Sequence, residues 1–259
     1  MKGRGLGCAI IVLSSLFITA GAQAGAWNKR DQEALLIAMT ALSCFTCDRP
    51  DQKIERRAYS FYGEYGWSDA LTLFGDVSWQ RASGANDPAY TKRLNPSLKN
   101  LTSSHIGAQW QIRREGPWAV ALAGQVALGG AQEGQDVFSP GEAAGSYGIK
   151  VLVGRSLGPK SYGEVQLGYV DAGDRTLRLD LTYGRILNDD WRIQVQSFSA
   201  VSLARERPGQ PNFDAHRFQI SMQRDLTKNR MFELGLVYAP ATTFTTEERG
   251  LRLGVWRSF

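Results

Sequence analysis

The chain has 259 residues, 43% of them hydrophobic, and 30 basic residues against 25 acidic ones give a formal net charge of +5. The basic residues are scattered rather than clustered, which argues against a nucleic-acid partner. The length suits a single domain, and many of the 28 glycines lie inside strand-like runs, as is usual where strands bend or backbones approach closely.

The first 24 residues have the pattern of a secretory signal peptide. Lys2 and Arg4 precede an apolar run over 6–20, and Ala22-Gln23-Ala24 supplies the small residues of a cleavage site. We therefore expect export of the protein and cleavage near Ala24. Cys8 lies at the front of the leader's apolar run, where a lipidated cysteine does not belong.

The exported chain, 25–259, is predicted to be one domain. Without the leader, 28 basic and 25 acidic residues leave a net charge of +3. No later segment approaches the roughly 20 apolar residues of a transmembrane helix, so a membrane role would require a barrel.

The first element of the exported chain, 32–45, is apolar on both faces. Its periodicity permits a short amphipathic helix or a strand. Thr40, Ser43 and Thr46 favour a strand, which we predict, while a plug helix is the alternative.

A regular pattern of strands begins near residue 58. Eleven strands are predicted at about 58–67, 70–81, 103–114, 117–128, 146–157, 161–171, 175–187, 190–203, 215–225, 230–239 and 250–259. Most exceed the usual 5–6 residues of soluble strands and suit a tilted membrane crossing of roughly 9–11 residues. With 32–45 the count is twelve, and bacterial single-chain barrels have even strand numbers.

The second half of the chain alternates most clearly. In 175–187, Leu177 and Leu179 share one face, opposite Arg178 and Asp180. A soluble sandwich gives the same alternation with its apolar face inward, so alternation alone does not distinguish the two folds.

The connections do distinguish them. With both termini at one end, the connections at that end are all short: 68–69, 115–116, 157–161, 188–189 and 226–229. Those at the other end are long except one: 46–57, 82–102, 129–145, 172–174, 204–214 and 240–249. Short turns on one side and long loops on the other are typical of transmembrane barrels, and 172–174 predicts a low point in the rim.

Aromatic residues of the apolar parity lie at both ends of the strands. Those toward the short turns are Trp67, Trp118, Tyr183, Trp191, Phe232 and Phe259. Those toward the long loops are Tyr59, Trp79, Tyr147, Tyr169, Phe218 and Tyr238. Two aromatic girdles at the membrane boundaries follow, and we predict an all-β fold, a closed antiparallel transmembrane β-barrel of about twelve strands.

The end of the chain carries a family resemblance. The strand 249–259 finishes in Phe259 and resembles the closing strand of bacterial outer-membrane barrels, which implies recognition by the barrel-insertion machinery. The opening Gly25-Ala26-Trp27 and the run E-Y-G-W-S-D over 64–69 resemble an uncharacterised twelve-stranded outer-membrane family of proteobacteria. The resemblance implies a barrel in contact with outer-membrane lipid, and it implies no substrate and no catalytic residue.

Charged residues of the opposite parity are expected to face the lumen, because they are costly in hydrocarbon. The inward set is Glu64, Asp76, His105, Arg113, Lys150, Glu164, Arg178, Asp180, Arg192, Arg217, Asp225, Glu233 and Arg252. The pore-lining candidates among them are Arg178, Asp180, Arg192, Arg217, Glu233 and Arg252. Arg185 has outward parity but lies near a short turn, where a long side chain can reach water.

Two functional readings of this lumen stay open. Arg178, Arg192 and Arg217 would bias a channel toward anions. Alternatively, opposite charges pair across neighbouring strands and close the lumen. We predict a narrow channel or transport barrel for small polar solutes, with a closed structural or adhesion barrel as the alternative.

Cys44 and Cys47 form a C-x-x-C near the outer end of 32–45. In an exported protein two nearby thiols are by default a disulfide, and a disulfide or free pair without catalytic role is predicted. A zinc site would need two further ligands, and the mature chain has no other cysteine. No cofactor is expected.

An outer-membrane lipid hydrolase is the less favoured alternative. Ser103 and His105 lie near an outer end with inward parity, and His216 has outward parity with no serine close by on its face. Two histidines leave few ways to build a Ser–His hydrolase. The polar loop 82–102 could bind a partner outside the cell, although a solvated loop is the simpler reading.

Overall fold

The computed structural model describes seven stretches of the chain: 25–47, 54–84, 100–128, 146–171, 175–203, 214–242 and 247–259. The predicted leader, 1–24, and residues 85–99 of the polar loop lie outside these described residues. No helix among the described stretches is long and apolar enough to cross a bilayer.

Twelve strands close into one antiparallel barrel, which confirms the predicted fold class. They are β1 (Ala34–Phe45), β2 (Ile54–Ser68), β3 (Leu71–Gly84), β4 (Asn100–Glu115), β5 (Trp118–Ala127), β6 (Tyr147–Gly158), β7 (Ser161–Asp171), β8 (Arg175–Ile186), β9 (Trp191–Ser202), β10 (Asp214–Thr227), β11 (Arg230–Ala239) and β12 (Glu248–Ser258). Each strand pairs with its sequence neighbours, and the first pairs with the last. The barrel therefore has no free sheet edge.

The ambiguous segment 32–45 supplies β1, a strand rather than a plug helix. It pairs with β2 from Ala34 to Phe45 and with β12 from Leu35 to Phe45. At the end of the seam, the Phe259 amide donates to the Ala34 carbonyl at 3.0 Å. A closed hydrogen-bonded ladder satisfies every strand edge, and this tertiary requirement decides what local periodicity left open.

The wall of the barrel has an apolar outer face and a polar inner face. Leu177, Leu179 and Leu181 are exposed on the outside of β8, whereas Arg178 and Asp180 of the same strand are shielded in the lumen. Exposed aromatic rings such as Trp118 and Tyr238 lie near opposite ends of the outer face, where the two girdles were expected. An apolar surface of this extent on a closed barrel is the surface that a bilayer covers.

The strand bounds confirm the asymmetry of the connections. The connections at the end where β1 begins and β12 ends, the short-turn end, are 69–70, 116–117, 159–160, 187–190 and 228–229. The opposite end, the long-loop end, has longer connections except for 172–174, whose residues lie outside the described part of the chain.

One inward residue was predicted wrongly. Arg113 was expected in the lumen, but a β-bulge pairs Gln111 with Ala121 and Arg113 with Val120, so that Ile112 is an extra residue. The bulge switches the parity, and Arg113 is exposed on the outer face beside Glu115, with nitrogen and oxygen 2.9 Å apart. A single inserted residue moves every later side chain to the other face.

Candidate functional site

The candidate site is the barrel lumen, and its short-turn half is occupied by the chain itself. Residues 25–31, called the N-terminal segment, run into the lumen ahead of β1. The Gln109 side chain donates to the Gly25 carbonyl at 2.7 Å, and the Gln111 side chain donates to the Ala26 carbonyl at 3.0 Å. The Gln111 side chain also accepts the Asn28 amide at 2.9 Å. The inner wall of β4 thus supplies the hydrogen bonds that a strand partner would otherwise give.

The wall around the N-terminal segment is built from small residues. Ala119, Ala121 and Ala123 of β5 are buried and pack with Ala26, and the ring of Trp27 packs against this cluster. A Cβ on Gly154 would lie 2.5 Å from the Trp27 ring, so only glycine leaves room for the indole there. Three inward alanines in one strand leave space on the lumen side of β5, and the segment occupies it.

Charged groups fix the two ends of the segment. The Ala26 amide donates to the Glu164 carboxylate at 2.6 Å. Farther along, the Lys29 ammonium lies 3.6 Å from the Glu64 carboxylate, which also accepts a hydrogen bond from Tyr62 at 2.7 Å. The segment is therefore held by polar contacts as well as by apolar packing.

Glu233 is a fully buried carboxylate on the inner face of β11, with 0% exposure. The Trp256 indole donates to it at 2.8 Å, and the Arg252 guanidinium lies 3.4 Å from its other oxygen. The structure thus brings together two of the pore-lining candidates, Glu233 and Arg252. Arg252 also donates to Gln219 at 2.8 Å, so the network crosses from β12 to β10.

A second charge cluster lies toward the long-loop end. Glu248 is buried and accepts hydrogen bonds from both Arg56 and Arg217, the latter at 3.0 Å. Arg56 belongs to β2, Glu248 to β12 and Arg217 to β10, so side chains from three strands meet at one carboxylate. We call Arg56, Glu248 and Arg217 the Glu248 cluster.

The remaining candidates lie apart from these two clusters. Arg192 pairs with Asp225 across β9 and β10, with 2.5 Å between nitrogen and oxygen. Arg178 and Asp180 of β8 interact electrostatically with Lys150 of β6. All six candidates have the inward parity, but they do not form a single site.

The expected pattern of ion pairing was only partly right. Arg192–Asp225 and Arg252–Glu233 do join neighbouring strands. Glu248 of β12, however, pairs with Arg56 of β2 and with Arg217 of β10, each two strands away around the barrel. The curvature of a closed wall turns inward side chains toward one another, so long side chains reach past the nearest strand.

Two partners of the Glu248 cluster were missed from sequence. The sequence pattern predicts loops over 46–57 and 240–249, which contain Arg56 and Glu248, but β2 begins at Ile54 and β12 at Glu248. Arg56 has the same parity as Tyr62 and Glu64, and this pattern would have indicated that β2 starts earlier and that Arg56 faces the lumen. The N-terminal segment was also missed, and the inward Ala119, Ala121 and Ala123 were the sign of it.

Cys44 and Cys47 are joined by a disulfide at the long-loop end of β1. The described residues contain no group of three or more His, Cys, Asp or Glu side chains that could hold a metal ion. His105 faces the lumen, with its Nδ1 3.1 Å from the Asp76 carboxylate.

His216 has a serine neighbour that the sequence did not reveal. Ser199 lies opposite it in the β9–β10 register, with the hydroxyl oxygen 3.1 Å from His216 Nδ1. The expectation of no serine on this face was wrong, because a partner on the adjacent strand depends on register and not on sequence distance. The Asp214 carboxylate is 3.9 Å from His216 Nε2, beyond hydrogen-bond distance.

The closed strands, the apolar outer face and the charged inner face together define a twelve-stranded transmembrane β-barrel. The fold is similar to that of the NanC porin, with 11% identity, a TM-score of 0.58, and coverage of 85% of this chain and 98% of that one. It is also similar to the KdgM porin (8% identity, TM-score 0.54, coverage 86% and 99%). A third similar structure is the CymD monoaromatic hydrocarbon channel (9% identity, TM-score 0.51, coverage 89% of both chains). No family model and no curated protein matches the sequence.

Proposed function

We propose that the protein is an outer-membrane channel for small polar solutes, narrowed at its short-turn end by its own N-terminal segment. The observation that carries the proposal is the lumen of paired charges and amides, which runs from Glu233 to the Glu248 cluster inside an apolar exterior. A barrel with no aqueous contact would be stabilised more simply by apolar side chains, because buried ion pairs contribute little net stability. The porins of similar fold support the same reading.

The N-terminal segment sets the width of the proposed pathway. It lies against the inner faces of β4 and β5, and beside it, at the short-turn end, a cleft of about 570 Å³ is lined by Arg30, Asp69 and Gln111. The segment takes up part of the cross-section of the lumen, so we infer a narrow channel that admits small molecules only.

The pairing of charges argues for weak ion selectivity. Arg192 and Arg217, two of the three arginines expected to favour anions, each contact a carboxylate. Arg178, the third arginine, interacts electrostatically with Asp180 and Lys150, so both signs of charge are present there as well. Reversal potentials that strongly favour either sign of ion would contradict this inference.

Solute uptake by vesicles tests the proposal. Vesicles containing refolded barrel and loaded with an impermeant polymer swell when a permeant solute enters. We expect swelling in small neutral and charged solutes, and much slower swelling in disaccharides. Equal and negligible swelling in all solutes, from protein shown to be folded by heat-modifiable gel mobility, would favour the closed structural barrel instead.

A lipid hydrolase is not supported by the Ser199–His216 pair. The carboxylate of Asp214 does not reach hydrogen-bond distance, and the backbone of Ser199 is paired in register with Leu179 and His216 on the two sides of β9. Strand amides engaged in a ladder cannot form an oxyanion hole. Phospholipid hydrolysis that disappears in Ser199→Ala would overturn this inference.

A further inference from the structure

Glu164 is a buried carboxylate that forms no ion pair with any side chain in the described part of the chain. It is 6% exposed, and it accepts hydrogen bonds from the Ala26 amide at 2.6 Å and from Gln166 at 2.5 Å. Among the described residues no basic side chain lies within ion-pair distance of it, and Lys150 acts on it only at longer range. Burying an uncompensated carboxylate costs several kcal/mol or more, so this site favours a cation.

Gly25 lies directly against this carboxylate. A Cβ built on Gly25 would be 1.9 Å from Glu164 Oε2 and 2.8 Å from Cδ, so any larger residue at this position would displace the carboxylate. Bonded geometry then leaves the Gly25 nitrogen no more than about 5 Å from Oε2. Gln109 holds the Gly25 carbonyl on the other side at 2.7 Å.

We propose that cleavage of the leader between Ala24 and Gly25 creates the missing cation, an α-ammonium group that pairs with Glu164 and locks the N-terminal segment in the lumen. Water, delivered by the leader-cleaving peptidase, adds across the Ala24–Gly25 amide. The carboxylate remains on Ala24, and the amine remains on Gly25. With an ordinary pKa of about 8, that amine is protonated at neutral pH.

The ion pair depends on cleavage of the leader, because the uncleaved Ala24–Gly25 amide carries no charge. Before cleavage the Gly25 nitrogen is a neutral amide, and the carboxylate lacks its counter-ion. After cleavage, the ammonium and the Ala26 amide donate to the same carboxylate, which draws Trp27 against Gly154. The inference concerns the mature N-terminus and does not depend on whether the barrel conducts solutes.

Chemical protection of the α-amine tests the lock. The chain beginning at Gly25 is refolded and treated at neutral pH with an amine-acylating reagent, and labelling of its N-terminal peptide is followed by mass spectrometry. In a buried ion pair, acylation requires local opening, so we expect labelling at least about tenfold slower in the folded wild type than in the urea-unfolded chain. Glu164→Gln should remove most of this protection, whereas Glu115→Gln, at an exposed pair, should keep it.

A second variant guards against a folding defect in Glu164→Gln. A chain that begins one residue earlier, at Ala24, moves the ammonium away from Glu164 and should unfold at lower denaturant concentration than the chain beginning at Gly25. In the Glu164→Gln background the same extension should have no further effect. Equal labelling of folded and unfolded wild type, an additive effect of the extension, or an exported protein beginning elsewhere than Gly25 would each overturn the proposal.

Discussion

At the residue scale, the lumen is a set of carboxylates that each organise two or more donors. Glu233 receives the Trp256 indole and the Arg252 guanidinium, and Glu248 receives two arginines. Because each carboxylate ties different strands together, its loss leaves more than one donor without a partner.

Glu233→Ala should destabilise the barrel by about 3 kcal/mol, since it strands a buried guanidinium and an indole N–H. The free energy of unfolding can be measured by urea titration in lipid vesicles, followed by tryptophan fluorescence. Glu115→Ala is the matched control, and it should have little effect because its partner Arg113 lies exposed on the outer face. Equal losses for both variants would show that the lumen network carries no special stability.

Glu248→Gln should make the channel more selective for anions. The substitution removes the negative charge that Arg56 and Arg217 share, so the long-loop end of the lumen becomes positive. The reversal potential in a salt gradient measures the shift. Glu55→Gln, an exposed residue one position from Arg56 on the outer parity, should leave it unchanged. A reversal potential that responds to neither variant would place the ion pathway away from the Glu248 cluster.

At the element scale, strand parity was readable from sequence and strand partners were not. The inward positions of Arg178, Arg192 and Arg217 follow from a period of two, which each strand carries by itself. The contact of Arg217 with Glu248 depends on the curvature of the wall across β11, and the exposure of Arg113 depends on a bulge. Both are properties of paired strands, so a single run of residues does not contain them.

The closing strand should be needed for assembly rather than for stability. Phe259 is exposed on the outer face, with Arg257 over its ring at 4.5 Å, and its backbone pairs with Ala34. We expect Phe259→Ala to lower the amount of heat-modifiable barrel in cell membranes while refolding in detergent proceeds normally. Phe232→Ala, in the same girdle but within β11, is the control. Equal assembly of both variants would contradict a role for Phe259 in recognition by the insertion machinery.

At the scale of the whole molecule, the barrel is a polar tube whose short-turn half is partly filled by residues 25–31. The tube was predicted because loop lengths, aromatic girdles and alternation all agree with one architecture. The filling was not predicted, because the segment has no periodicity of its own and its partners, Gln109, Gln111 and Glu164, lie far along the chain. The sequence signal for the N-terminal segment is the set of inward alanines in β5.

The most direct test of the channel is single-channel conductance in a planar bilayer, with wild type compared to Trp27→Ala. Removal of the indole vacates the space between Gly154 and Tyr162 without altering the strands. We expect small discrete steps for the wild type and larger steps for Trp27→Ala, with Trp118→Ala, an exposed girdle residue, behaving as wild type. If wild type and Trp27→Ala, both shown to be folded, conduct no ions, the lumen is closed and the protein is not a channel.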